Sequence, residues 1–155
     1  MAARVRLGHI AVPAQKPREL ATFYREFLGL DVTLEGTLPS LGEFVFLSDR
    51  PAEHPQTLTF MSRPDARHIA WEVPSLAALK ALYAEAKARG IRVDFALNHR
   101  VCLSLYLHDP EGNGVEIYWP TGQPAEGLYA EPLDLGLLDQ PESALLARVG
   151  GSAPA

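Results

Sequence analysis

His9–Glu26, HIAVPAQKPRELATFYRE, and His68–Glu85, HIAWEVPSLAALKALYAE, align without a gap. The alignment places HIA on HIA, Leu20 on Leu79, Tyr24 on Tyr83 and Glu26 on Glu85. Each copy opens with a short apolar segment broken by a proline, Pro13 or Pro74, and continues with apolar residues at helical spacing. A repeated unit of this size cannot cover its own sheet face, so two copies are expected to pair around a shared surface. His9 and His68 then hold the same position on the first strand of each copy.

Working outward, the first copy reads as a strand from Arg4 to Val12 and a helix from Lys16 to Leu28. The apolar face of that helix carries Leu20, Phe23, Tyr24, Phe27 and Leu28. Gly29 sits where a C-cap belongs. Strands follow at Asp31 to Glu35, Glu43 to Leu47 and Thr57 to Met61, with Gly36, Pro39 and Gly42 expected in the loop between the first two. The second copy repeats the order. Arg67 to Val73 is a strand, Ser75 caps a helix running to about Arg89, and Gly90 ends it. Ile91 to Leu97, Val101 to Leu107 and Val115 to Trp119 are three more strands. The expected fold is α+β: two paired βαβββ modules, about 4–62 and 66–120, forming a shared concave mixed sheet within a single domain. The tail, 121–155, is rich in Pro and Gly with one short helix expected from Pro141 to Val149. Its GGSAPA end is expected to be disordered.

Composition narrows the function. A 155-residue chain with 47% hydrophobic and 21% charged residues is of ordinary globular make-up. A net charge of −5 argues against a nucleic-acid surface, which needs a basic patch. One cysteine, Cys102, excludes an internal disulfide and fits a reducing compartment. The apolar run near the amino terminus is too short for a signal peptide, and no stretch approaches the roughly 20 apolar residues of a membrane span. The expectation is a soluble, cytoplasmic protein with no membrane partner.

The chemistry concentrates in His99–Trp119, HRVCLSLYLHDPEGNGVEIYW. A lone carboxylate, Glu116, stands in an apolar strand, where it is costly unless something positive faces it. His9 and His68 are similarly isolated in apolar strands. Taken singly, each has an ordinary reading: a satisfied core histidine, or an edge-strand carboxylate facing water. The repeat position of the histidines and the matching final strand of Glu116 favour one metal ion held by all three.

These residues resemble the vicinal oxygen chelate superfamily, which includes glyoxalase I, bleomycin and fosfomycin resistance proteins and extradiol ring-cleavage dioxygenases. The resemblance covers Leu7 to Trp119. The His99–Trp119 stretch is similar to the extradiol signature: His99, the Leu105-Tyr106 pair, the Asp109-Pro110-Glu111-Gly112 turn, then Glu116. Leu97 and Arg67 depart from the family pattern, but neither carries an assigned function. The resemblance implies metal ligands His9, His68 and Glu116, with Fe(II) as cofactor and Mn(II) as the alternative. Two imidazoles and a carboxylate on one face leave open positions, the arrangement of non-haem Fe(II) oxygenases. It further implies catalytic roles for His54, fourteen residues before His68, as acid/base, and for His99 and Tyr106 as hydrogen-bonding groups at the substrate oxygen. His54 also reads as a solvated loop histidine, His99 as a turn histidine and Tyr106 as core.

The implied reaction is extradiol cleavage of a catecholic ring. Its partners are a small aromatic diol and O2, in a homodimer or higher homo-oligomer. The alternatives are a glyoxalase-like lyase or isomerase using Ni, Zn or Mn, or a non-enzymatic antibiotic-binding module. In the glyoxalase-like case a fourth ligand is expected from the mouth of the fourth strand, where only His54 or Glu53 could serve.

Overall fold

The computed structural model describes residues 4–124 and 127–150. Its strands are β1 (Arg6–Pro13), β2 (Asp31–Leu38), β3 (Gly42–Ser48), β4 (Leu58–Met61), β5 (His68–Glu72), β6 (Val93–Asn98), β7 (Cys102–His108), β8 (Gly114–Pro120) and β9 (Glu131–Pro132). Its helices are α1 (Pro17–Leu28), α2 (Leu76–Ala88) and α3 (Glu142–Gly150). The chain forms two compact units, Leu7–Ala70 and Trp71 onward with the residues up to Arg6, and β5 runs across the division.

In the first unit the strand order is β2-β3-β4-β1. β1 pairs parallel with β4, while β2–β3 and β3–β4 are antiparallel. Pro17 stands at the start of α1, where its missing N–H costs nothing. Gly29 closes the helix at φ 74°, its N–H donating to the Arg25 carbonyl. Ala21, Val45, Leu47 and Phe60 form one core cluster, and Ala11, Phe44 and Met61 a second. The helix face expected to be buried is only partly so. Leu20 and Tyr24 pack inward, whereas Phe23 and Phe27 stack on each other in the open, 54% and 74% exposed.

The loop expected between β2 and β3 is shorter than read, because Gly36 lies inside β2 and Gly42 opens β3. Gly36 is opposite Phe44 in the register, and a Cβ there would come within 2.9 Å of the Phe44 ring. The glycine is a packing choice for a buried aromatic rather than a turn signal.

In the second unit the order of the last four strands is β8-β7-β6-β9, all antiparallel neighbours. Ser75 Oγ accepts the Ala78 N–H and caps α2, which buries Leu76, Leu79, Tyr83 and Ala86. Leu76, Leu79 and Tyr83 join Val73, Ala96, Leu103 and Leu105 in the core. The tail belongs to the same core. Leu133, Leu138 and Leu145 are buried in it, and the Leu133 N–H donates to the Ala96 carbonyl. The sequence left open whether the tail wraps its own chain; α3 and the β9 segment do. Of the GGSAPA end, expected to be disordered, Gly150 closes α3 and residues 151–155 lie outside the described residues.

The duplication reaches the hydrogen bonds. Just past β1, the Ala14 N–H donates to the Met61 carbonyl at 2.8 Å; just past β5, the Val73 N–H donates to the Tyr118 carbonyl at 2.8 Å. Ala14 and Val73 are equivalent in the gapless alignment, so the first and last strands of each module meet in the same way. Counting back two residues from each carbonyl puts Thr59 at the place in β4 that Glu116 holds in β8.

Candidate metal centre and its flanking histidines

His9 sits in β1, 9% exposed, one residue before the ladder with β4 begins at Ile10. His68 opens β5. Their Nε2 atoms are 3.0 Å apart, with the rings nearly perpendicular at 79°. The His68 Nδ1–H donates to the Ala66 carbonyl at 2.8 Å, at the end of a 3-10 turn over Pro64–Ala66. That bond fixes the His68 tautomer and leaves its Nε2 lone pair for a donor or an ion.

His54 lies in the loop before β4. Its Nε2–H donates to the Gly8 carbonyl at 2.9 Å, on the residue preceding His9. The loop is built on Ser48, which is fully buried: its hydroxyl donates to the His54 carbonyl at 2.6 Å and accepts the Arg50 N–H at 2.9 Å. Ser48 was not anticipated from sequence, since a serine at a strand end carries no distinctive signal. With Nε2 committed to the β1 backbone, Nδ1 is the His54 nitrogen left for proton exchange.

In the second unit Glu116 is buried in β8, 3% exposed. It faces Tyr106 directly across the β7–β8 ladder, and Ser104, also fully buried, faces Tyr118. Burial, and then the Glu116 charge beside it, holds the Tyr106 hydroxyl well above the usual phenol range. The same two causes push the Cys102 thiol up to about 12. Both groups are therefore neutral near pH 7; Tyr106 stands opposite the carboxylate, while the Cys102 thiol is 3.5 Å from Ser104 Oγ.

His99 follows β6 at a tight turn, in which the Arg100 N–H donates to Asn98 Oδ1 and Arg100 takes φ 64°. Its Nε2 is 3.0 Å from the Tyr106 hydroxyl, and its Nδ1–H donates to the Tyr129 carbonyl at 2.8 Å. The structure thus brings His9 and His68 together in one unit, and His99, Tyr106 and Glu116 into one neighbourhood in the other. The Tyr129 carbonyl was invisible to sequence reading, because any residue could supply it. His108, read as a surface residue, is exposed and pairs with Asp94 at 2.8 Å. The Asp109–Asn113 segment is the expected turn, with Asp109 accepting from the Glu111 and Asn113 amides.

The His9–His68 pair, with imidazole nitrogens at side-by-side spacing and one tautomer fixed, suits a divalent first-row metal. Among the described residues, no helix is long and apolar enough to cross a membrane.

Comparisons agree with this architecture. A catechol 2,3-dioxygenase structure matches with a TM-score of 0.63 and 25% identity, over 86% of this chain and 49% of that one. The 2,3-dioxygenase LapB from Pseudomonas sp. KL28 matches at 0.63 and 20%, over 83% and 46%. A methylmalonyl-CoA epimerase in complex with methylmalonyl-CoA and NH4+ matches at 0.59 and 19%, over 76% and 96%. The chain spans about half the length of these two dioxygenases. No curated protein matches in sequence. The family model for the Glyoxalase/Bleomycin resistance protein/Dioxygenase superfamily matches residues 6–117. That span takes in both βαβββ modules up to the residue after Glu116, and the chain belongs to this superfamily.

Proposed function

We propose that the protein is a metal-dependent extradiol dioxygenase that opens a small catecholic ring with O2, using Fe(II) held by His9, His68 and Glu116. The observation that carries the metal reading is the 3.0 Å approach of His9 Nε2 and His68 Nε2, with the His68 tautomer fixed from behind. His9, His68 and Glu116 are also the group of metal-capable donors found among the described residues. Three donors rather than four support oxygen chemistry, because they leave positions for both substrates. Thr59, not a carboxylate or histidine, stands where a fourth ligand would mirror Glu116, and its hydroxyl is taken by Gln56 Nε2 at 2.8 Å.

Fe(II) held by these residues would supply a cation that favours the ionised form of a catechol and redox chemistry with O2. The protein groups handle protons and orientation. His54 accepts a proton at Nδ1 as substrate arrives and returns it when the ring opens, while its Nε2–H stays on the Gly8 carbonyl. His99 and Tyr106 hold the substrate oxygen in place. The net charge of −5 supports small molecules rather than nucleic acid as partners.

A second reading, a glyoxalase-like isomerase using Ni, Zn or Mn, draws support from the comparable structural match to a methylmalonyl-CoA epimerase. The test is anaerobic reconstitution with Fe(II), then a panel of catechols with O2. Oxygen uptake with a coloured ring-fission product is expected. If no catechol in the panel yields either, the dioxygenase reading is wrong.

A further inference from the structure

Two contacts tie the chain beyond β8 back to the turn that carries His99. The Arg100 guanidinium lies over the Tyr129 ring, 4.0 Å from its centroid, and the Tyr129 carbonyl accepts the His99 Nδ1–H at 2.8 Å. Two residues further on, Glu131 pairs with Asn98 in the β6–β9 ladder. Buried Leu133 and Leu138 anchor the segment in the core. Tyr129 is therefore held from both sides of its contact with the turn. Arg100 adopts φ 64°, a backbone conformation a non-glycine residue takes only at a cost, and its side chain lands on the Tyr129 ring.

We propose that Tyr129 is a positioning residue, whose carbonyl keeps the ring proton of His99 on Nδ1 so that Nε2 is the nitrogen turned to Tyr106. A carbonyl can only accept, so the Nδ1 atom facing it must carry the proton. Nε2 then meets the Tyr106 hydroxyl at 3.0 Å as the exchangeable partner. Without the Tyr129 contact, either nitrogen of a neutral imidazole could hold the proton, and the ring could present a fixed N–H to the site instead. With it, a neutral His99 offers a lone pair, which suits an incoming group that brings a proton, such as a hydroxyl, over a bare carbonyl. The catalytic meaning of this arrangement rests on the dioxygenase reading, but the tautomer itself does not.

The test is 15N NMR of the full chain labelled at histidine, without added metal, with His99 assigned by loss of its signals in His99→Gln. Wild-type protein is expected to show Nδ1 protonated. Replacing Ala130 by lactate turns the Tyr129 carbonyl into an ester, a weaker acceptor, without touching any side chain in the site. That variant is expected to move His99 toward the Nε2–H tautomer by about fivefold in ratio, the scale of one ordinary hydrogen bond. Tyr129→Ala, which removes the ring under Arg100, is expected to move it in the same direction, and Tyr129→Phe to restore the wild-type ratio. A bare Nδ1 in the wild type, or an ester variant with unchanged tautomer in protein that remains folded, overturns the proposal. Because the readout needs neither iron nor turnover, a negative result in the catechol panel leaves it standing, and the reverse also holds.

Discussion

His9 Nε2 and His68 Nε2 are 3.0 Å apart across 59 residues of sequence. Two imidazole nitrogens bound side by side on one ion, each at the usual ~2.1 Å, are separated by about this distance. A plain N–H···N bond would also bring them this close, but it would use only one of the two lone pairs. The Ala66 carbonyl, by taking the His68 Nδ1–H, prepares His68 for either role. What distinguishes them is metal affinity.

His9→Ala and His68→Ala are each expected to weaken divalent-metal binding by more than about 100-fold, since changes to groups merely behind a ligand already cost 10- to 100-fold. Competition titration with a chromophoric chelator, alongside circular dichroism to show that each variant folds, measures this. If either variant keeps wild-type affinity, that histidine is a core residue and the three-ligand centre fails.

The buried tail makes a second prediction. Leu145 in α3 is fully buried against the core that α2 also covers. Leu145→Ala is expected to destabilise the protein by about 2–5 kcal/mol, the range for a buried leucine whose cavity collapses only in part. Urea unfolding reads it directly. A cost under ~0.5 kcal/mol would mean that α3 does not pack in solution as it does here.

Much of this arrangement was legible because the chain repeats itself. Placing His9 on His68 locates both first strands, both helices and the matched positions of the two histidines, and the Ala14 and Val73 hydrogen bonds follow the same offset. Glu116 stands out as a lone carboxylate among the apolar and aromatic residues of its strand. The misread parts lack a periodic signal. Gly36 looked like a turn glycine, yet serves the Phe44 ring packed against it. Phe23 and Phe27 fit the helical spacing of a buried face but stand in solvent, because spacing marks a stripe on a helix without saying how wide the covering surface is. The tail leucines have no period of their own. Their burial depends on α2, whose distance in sequence hides it. The contacts of His99 and His54 with the Tyr129 and Gly8 carbonyls were beyond reach altogether, since backbone acceptors leave no trace in residue identity.

The turn joining β7 to β8 gives a pH prediction. Asp109 Oδ1 accepts the Glu111 and Asn113 amides, and Oδ2 accepts Asn113 Nδ2 at 2.8 Å. Those bonds, the Asn113 side chain foremost, hold the Asp109 carboxyl below its usual range. A depressed carboxylate stabilises the folded turn at pH values above its unfolded pKa, and the stabilisation is lost as pH falls through the lower folded value. Amide exchange at Glu111 and Asn113, corrected for the intrinsic acid dependence, should therefore stay slow at pH 5 and lose protection below about pH 4. In Asp109→Ala those amides should be unprotected at every pH. Retained protection in that variant would show that backbone geometry alone, with Gly112 at φ 82°, sets the turn.

His54 separates the two enzymatic readings. Its Nε2 is occupied by the Gly8 carbonyl, so the ring is braced against the strand of His9. On the dioxygenase reading, a histidine braced this way supplies proton transfer, a contribution worth typically 100- to 10,000-fold in rate. His54→Phe is thus expected to bind Fe(II) within about tenfold of wild type, allowing for the lost brace on β1, while kcat for catechol cleavage falls by at least ~100-fold. His54→Gln keeps a donor for Gly8 but has no nitrogen that exchanges a proton near neutral pH. It should restore the metal affinity of His54→Phe without restoring kcat, which assigns the two effects to different atoms of one ring. Loss of metal in both variants, together with no oxygen uptake by the wild type, would instead make His54 a fourth ligand and favour the glyoxalase-like isomerase.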